Sequence, residues 1–137
     1  MKGDFRPALQ EEVIYRPKDQ LQLFDKVQIV TTSAYVSDEV ECAPFRKFGL
    51  YVFIDSTSTP TDLHIEVEFL DRWTGQWYTH KQGVFASLYY EDGDTASGIY
   101  ECFTGDVLGR AMRVKLTGSG TSSAAYFTVS VGVDFWN

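Results

Sequence analysis

In the stretch Asp62 to His80, DLHIEVEFLDRWTGQWYTH, the apolar residues Leu63, Ile65, Val67 and Phe69 fall on odd positions, with His64, Glu66 and Glu68 between them. A two-residue period marks a strand with one dry and one wet face. Asp71-Arg72-Trp73-Thr74-Gly75 interrupts the alternation with turn-forming residues, and Gln76 to His80 resumes an extended, aromatic pattern, so the segment predicts a β-hairpin. The alternation returns from Ala125 to Val133, where Ala125, Phe127, Val129, Val131 and Val133 share one face. Between Arg110 and Thr117, Met112, Val114 and Leu116 lie opposite Arg113 and Lys115. That basic outer face matches the acidic one of Glu66 and Glu68, which predicts that the two strands pair.

Weaker signals fill in the remainder. Phe24 to Thr31 and Ser33 to Glu41 read as strands, the second ending in the acidic run Asp38-Glu39-Val40-Glu41 of a solvated edge. Phe48 to Asp55 carries Leu50, Val52 and Ile54 on one face and Tyr51 and Phe53 on the other, so both faces of this strand are expected to be covered. Gly83 to Tyr90, with Val84, Ala86 and Leu88 opposite Phe85 and Tyr89, and Gly98 to Phe103 complete the set. The polar stretches Ser56 to Thr61 and Gly118 to Ser123 suit connections between strands. About eight or nine strands at intervals of roughly ten residues, without a helix, predict an all-β chain, an antiparallel β-sandwich of jelly-roll type. Burying each Val or Phe is worth roughly 1.5–3 kcal/mol, so the strands Leu63 to Phe69 and Ala125 to Val133 should dominate the core. The closing Asp134-Phe135-Trp136-Asn137 either seals one end or docks on a partner.

The leading residues 1–23 form a different segment. Lys2, Arg6, Arg16 and Lys18 balance Asp4, Glu11, Glu12 and Asp19, so the whole net charge of -7 lies in the body, residues 24–137. Two Arg-Pro steps and the irregular apolar set Phe5, Leu9, Val13, Ile14 and Tyr15 describe an extended arm, packed on its own domain or reaching a neighbouring subunit. The acidic body repels phosphate backbones and anionic lipid, which argues against nucleic acid and membrane as partners. The N-terminus lacks the layout of a secretory signal and no apolar run is long enough to cross a bilayer, so the chain is expected to be made in a cytoplasm, with Cys42 and Cys102 unpaired.

No constellation for catalysis is legible. His64 and His80 have no cysteine or carboxylate at a metal-ligand spacing, no serine sits in a Gly-x-Ser-x-Gly elbow, and Gly118-Ser119-Gly120 lacks the lysine and helix of a phosphate loop. Glu91, Asp92 and Asp94 fall short of a calcium loop and read as an acidic turn. The chain is therefore expected to be no enzyme and to need neither cofactor nor metal. Trp73, Trp77 and Tyr78 have three readings: core and turn shielding, a protein interface, or a sugar-stacking platform.

The order LYVFID, a Thr/Pro loop, LHIEVEFLD, a Trp-Gly turn, GRAMRVKLTGSG and AAYFTVSV, spanning Phe48 to Val133, resembles the small jelly-roll decoration, or cement, proteins of tailed bacteriophage heads. The resemblance implies a virion protein on the outer capsid surface, a homotrimer that clamps subunits of the major capsid protein. Under it, Phe5, Leu9, Val13, Ile14 and Tyr15 would make arm contacts, and Tyr51, Phe53, Phe85 and Tyr89 would pack between subunits. The alternative is a carbohydrate-binding module or receptor-binding virion component using Trp73, Trp77 and Tyr78.

Overall fold

The computed structural model describes residues 20–57 and 59–137. In chain order these form β1 (Leu21–Ile29), β2 (Tyr35–Val36), β3 (Val40–Glu41), β4 (Lys47–Thr57), β5 (Asp62–Leu70), β6 (Trp77–Thr79), a 3-10 turn (Gly83–Ser87), β7 (Tyr89–Glu91), the single-turn helix α1 (Asp92–Thr95), β8 (Ile99–Asp106), β9 (Ala111–Ser119) and β10 (Tyr126–Trp136). Every strand pairing among them is antiparallel. One sheet has the order β1-β10-β4-β8; in the other, β2-β9-β5-β6 is extended by β3 on β9 and β7 on β5.

The alternation decides which side chains meet. Phe48, Leu50, Val52 and Ile54 of β4 and Phe127, Val129, Val131 and Val133 of β10 face Leu63, Ile65, Val67 and Phe69 of β5 and Met112, Val114 and Leu116 of β9, and all are buried. The hairpin forms with Phe69 opposite Tyr78 and Leu70 opposite Trp77. On the outer side of the six-stranded sheet Glu66 lies opposite Lys115 and Glu68 opposite Arg113. Arg113 Nε donates to Glu68 Oε1 at 2.7 Å, and Lys115 Nζ lies 3.4 Å from both Glu66 and Glu68. Burial works against the Lys115 ammonium, but Glu68 and then Glu66 outweigh it and raise its pKa.

Several expectations change. The first strand begins at Leu21, so residues 21–23 belong to the sandwich, not to the arm, because Leu21 and Gln22 pair with Val133 and Gly132. The second strand is broken into β2 and β3, both on β9. Gly83 to Tyr90 is not a continuous strand. Gly83 takes a positive φ of 59° and opens a 3-10 turn, which leaves Val84 exposed and drives Phe85 between the sheets. The acidic loop folds into α1. Asp94 accepts the Glu91 N–H at 3.2 Å, and Asp92 Oδ1 accepts from Ser56 Oγ at 2.8 Å. The C-terminal residues continue β10, and Phe135 is buried and stacks on Phe45 at 5.6 Å. Both cysteines are free, Cys42 buried and Cys102 exposed.

Candidate functional site

Among the described residues, exposed aromatic side chains and a concave shape coincide on two surfaces. The first is the tip formed by the β5–β6 turn and the loop before β9. Asp71 Oδ2 accepts from both the amide (2.9 Å) and the hydroxyl (2.7 Å) of Thr74, and these bonds pull its pKa below the ordinary carboxylate value. Gly75, at φ 72°, donates to the Asp71 carbonyl at 2.9 Å and closes the turn. Trp73 is thereby held at the apex, 87% exposed. The neighbouring loop approaches so closely that a Cβ on Gly109 would lie 2.6 Å from the Leu70 carbonyl oxygen, which only glycine permits. Leu108 is set beside the turn. Two depressions of about 390 Å³ each share Asp71 and Leu108; one is also lined by Arg72, Trp73 and Arg110, the other by Tyr78 and His80.

The aromatic trio of the sugar reading is not assembled as one platform. Successive strand residues point to opposite faces, so Trp77 lies on the outer face under the Arg113 guanidinium, 4.2 Å from its ring centroid, whereas Tyr78 turns toward the depression it shares with His80. Trp73 and Tyr78 line separate depressions that share Asp71 and Leu108, and Trp77 lines neither.

The second surface is the open side of the four-stranded sheet. Tyr51 and Phe53 project there from β4, and Phe53 packs against Tyr100 of β8 with ring centroids 4.8 Å apart and the rings tilted by 40°. A trough of about 420 Å³ runs beside them over Ser130 and Gly132. Tyr100, which is 82% exposed, was missed in the sequence; its signal was the pairing partner of Phe53, visible only once register is known.

The four residues expected to pack between subunits are scattered. Tyr51 and Phe53 lie on the open four-stranded face, and Tyr89 lies on the outer face of the other sheet, stacked on His64 at 5.5 Å. Phe85 is in the core against Phe48 and His80, at 5.3 and 4.6 Å between centroids. It presents nothing to a partner, because the 3-10 turn replaces the strand that would have aligned it with Tyr89. Phe5, Leu9, Val13, Ile14 and Tyr15 lie outside the described residues. His80 is buried, its Nδ1 accepts the Gln82 N–H at 3.3 Å, and its Nε2 has no partner among the described residues; burial pushes its pKa down, with Asp106 opposing. Among the described residues no group of three or more His, Cys, Asp or Glu is placed to hold a metal ion, and no helix is long and apolar enough to cross a membrane.

No protein-family model matches the chain, and no curated protein matches it by sequence. Solved structures share its architecture. A chain in the structure of infectious bursal disease virus Gx strain is similar at a TM-score of 0.55 and 10% identity, over 85% of this chain and 31% of that one. The Clostridium thermocellum N-terminal endo-1,4-β-D-xylanase 10B structure, CBM22-1–GH10 modules complexed with xylohexaose, is similar at 0.50 and 11% identity, over 87% of this chain and 25% of that one. A Family 16 carbohydrate binding module-2 follows at 0.46 and 9%, over 74% and 70%. At such identities the two likenesses with TM-scores of 0.50 and 0.55 bear on architecture alone, in agreement with the two antiparallel sheets: the protein is an antiparallel β-sandwich of jelly-roll type. This chain spans under a third of the viral chain and a quarter of the xylanase chain.

Proposed function

We propose that the protein is a non-catalytic virion structural protein, a decoration or cement protein that sits as a homotrimer on the outer surface of the major capsid protein lattice and stabilises the head. The observation that carries this reading is the tip. Trp73, Tyr78 and Leu108 are exposed together with Arg72 and Arg110 around two shallow depressions, and Trp, Tyr and Arg are the residue types that dominate interface hot spots. The turn is tied by its own hydrogen bonds to a sandwich whose two longest strands, β4 and β10, pair along their full length. A rigid anchor loses little side-chain freedom on docking, which suits a clamp. The segments that resemble cement proteins coincide with β4, β5, β9 and β10, the central strands of both sheets. The fold shared with a viral chain adds support at the level of architecture.

Light scattering on the purified chain is expected to give three times the monomer mass, and the protein is expected to co-sediment with heads built from the cognate major capsid protein. Trp73→Ala should weaken that association by about 2 kcal/mol or more, the usual loss at a hot spot. A monomer that leaves heads undecorated removes the reading.

A further inference from the structure

The trough on the open four-stranded face has a different chemistry from the tip. Register places Gln22, Gly132, Tyr51 and Cys102 in one row across β1, β10, β4 and β8, and Ser130, Phe53 and Tyr100 in the next. The two smallest of these, Gly132 and Ser130, make a low floor between Gln22 and the aromatic wall, with the Gln20 side chain reaching over Gly132, and the resulting 420 Å³ falls within the range of small-molecule sites.

The lining is already organised. Gln22 Nε2 donates to the Phe24 carbonyl at 2.6 Å, which leaves its Oε1 as an acceptor. Tyr51 donates its hydroxyl to Asp134 Oδ2 at 3.2 Å, which leaves its own lone pairs. Ser130 Oγ accepts the Lys26 N–H at 2.9 Å, which leaves its proton to donate. Among the described residues no lysine or arginine lines the trough, and the nearby Glu101 carboxylate already accepts the Tyr90 hydroxyl at 2.6 Å. An anion therefore finds no counter-charge among the described residues, in a chain of net charge -7. A purely apolar occupant would bury the free acceptors of Gln22 and Tyr51 without partners. A pyranose ring offers what the lining lacks: C–H faces for the rings of Tyr100 and Phe53, and hydroxyls for the amide and phenol.

We propose that this trough binds a neutral oligosaccharide, stacked on Tyr100 and Phe53 and hydrogen-bonded by Gln22, Tyr51 and Ser130. The site goes beyond the capsid reading and does not depend on it.

The test is calorimetric titration of the full chain with cellohexaose, maltohexaose and the chitin hexamer as probes. At least one should bind, and Tyr100→Ala should weaken it by about two- to tenfold, as loss of a stacked aromatic contact does. Gly132→Thr should do the same by filling the floor, since a Cβ there would lie 2.7 Å from Oε1 of the flexible Gln20 side chain and in ordinary contact, at 3.6 Å, with the Leu21 carbonyl. Trp73→Ala should leave binding unchanged, and bound sugar should slow alkylation of the exposed Cys102 thiol. The proposal is overturned if no probe binds at millimolar concentration, or if binding ignores both trough substitutions. It is equally overturned if Tyr100→Ala lowers the solution mass of an oligomer, which would give the trough to a second copy.

Discussion

His80 is the residue whose environment departs most from its sequence neighbourhood. It follows a hairpin strand, yet its ring lies among Phe48, Phe69 and Phe85, and burial lowers its pKa. The unfolded chain titrates this group near the ordinary histidine value of about 6.5, so on acidification the unfolded state takes up the proton first. Stability contributed by neutral His80 is present above that value and is lost as pH falls through it, down to the lowered folded-state pKa. Thermal melts from about pH 7.5 to about pH 5 should show a smaller drop for His80→Phe than for the unaltered chain; parallel curves would contradict the assignment. Gly49 is constrained by contact. A Cβ there would lie 2.6 Å from Asp134 Oδ1 and 3.2 Å from the rings of Trp136 and Tyr51. Gly49→Ala should cost about 1–3 kcal/mol in urea denaturation, the usual range for overpacking. At Cys42, burial pushes the thiol pKa up to about 12, with Glu41 adding to it. A thiol reagent should modify Cys102 in the native protein and Cys42 only after unfolding.

Among the elements, β10 pairs with β1 on one side and with β4 along all eleven of its residues on the other. A charge at its centre has no route to water. Val129→Asp should abolish the folded state, read as loss of the cooperative thermal transition. The β5–β9 pair is held differently: Glu68 is nearly buried beneath Arg113 and Lys115. Arg113→Ala should cost about 1–3 kcal/mol, because it strands a carboxylate with one partner fewer. In a Glu68→Gln background the same change should cost less; equal losses would mean the pair is not coupled. Both strands were legible in the sequence, as was their charge match, because alternation is set by local backbone geometry. Gly83 to Tyr90 was not. Its apolar spacing fits a strand, but Gly83 turns the chain and the gap beside Phe48 accepts Phe85, a contact between residues far apart in sequence.

For the whole molecule, two faces with different chemistry follow, among the described residues, from one sandwich: a tip of Trp73, Tyr78 and Leu108 with two arginines, and a trough with none. The two can be separated by substitution. Trp73→Ala should affect association with heads and spare sugar binding, and Tyr100→Ala the reverse; a single variant that abolishes both without unfolding the chain would merge them into one surface.

Alternation by itself determined the all-β class, the β5–β6 hairpin, the core faces of β4, β5, β9 and β10, and the pairing of Glu66 and Glu68 with Lys115 and Arg113. The class, the hairpin and the core faces follow from a period of two within one strand; the β5–β9 pairing follows from the match of charge between two such faces. Only the tertiary structure decided that Tyr100 lies beside Phe53, that Gly132 and Ser130 floor a trough, that Leu108 joins Trp73 and Tyr78, and that Trp77 and Phe85 are withdrawn from the surfaces expected of them. Those outcomes depend on strand order and register across the sheets. Strand order is set by how the whole apolar set packs, and no local pattern encodes it.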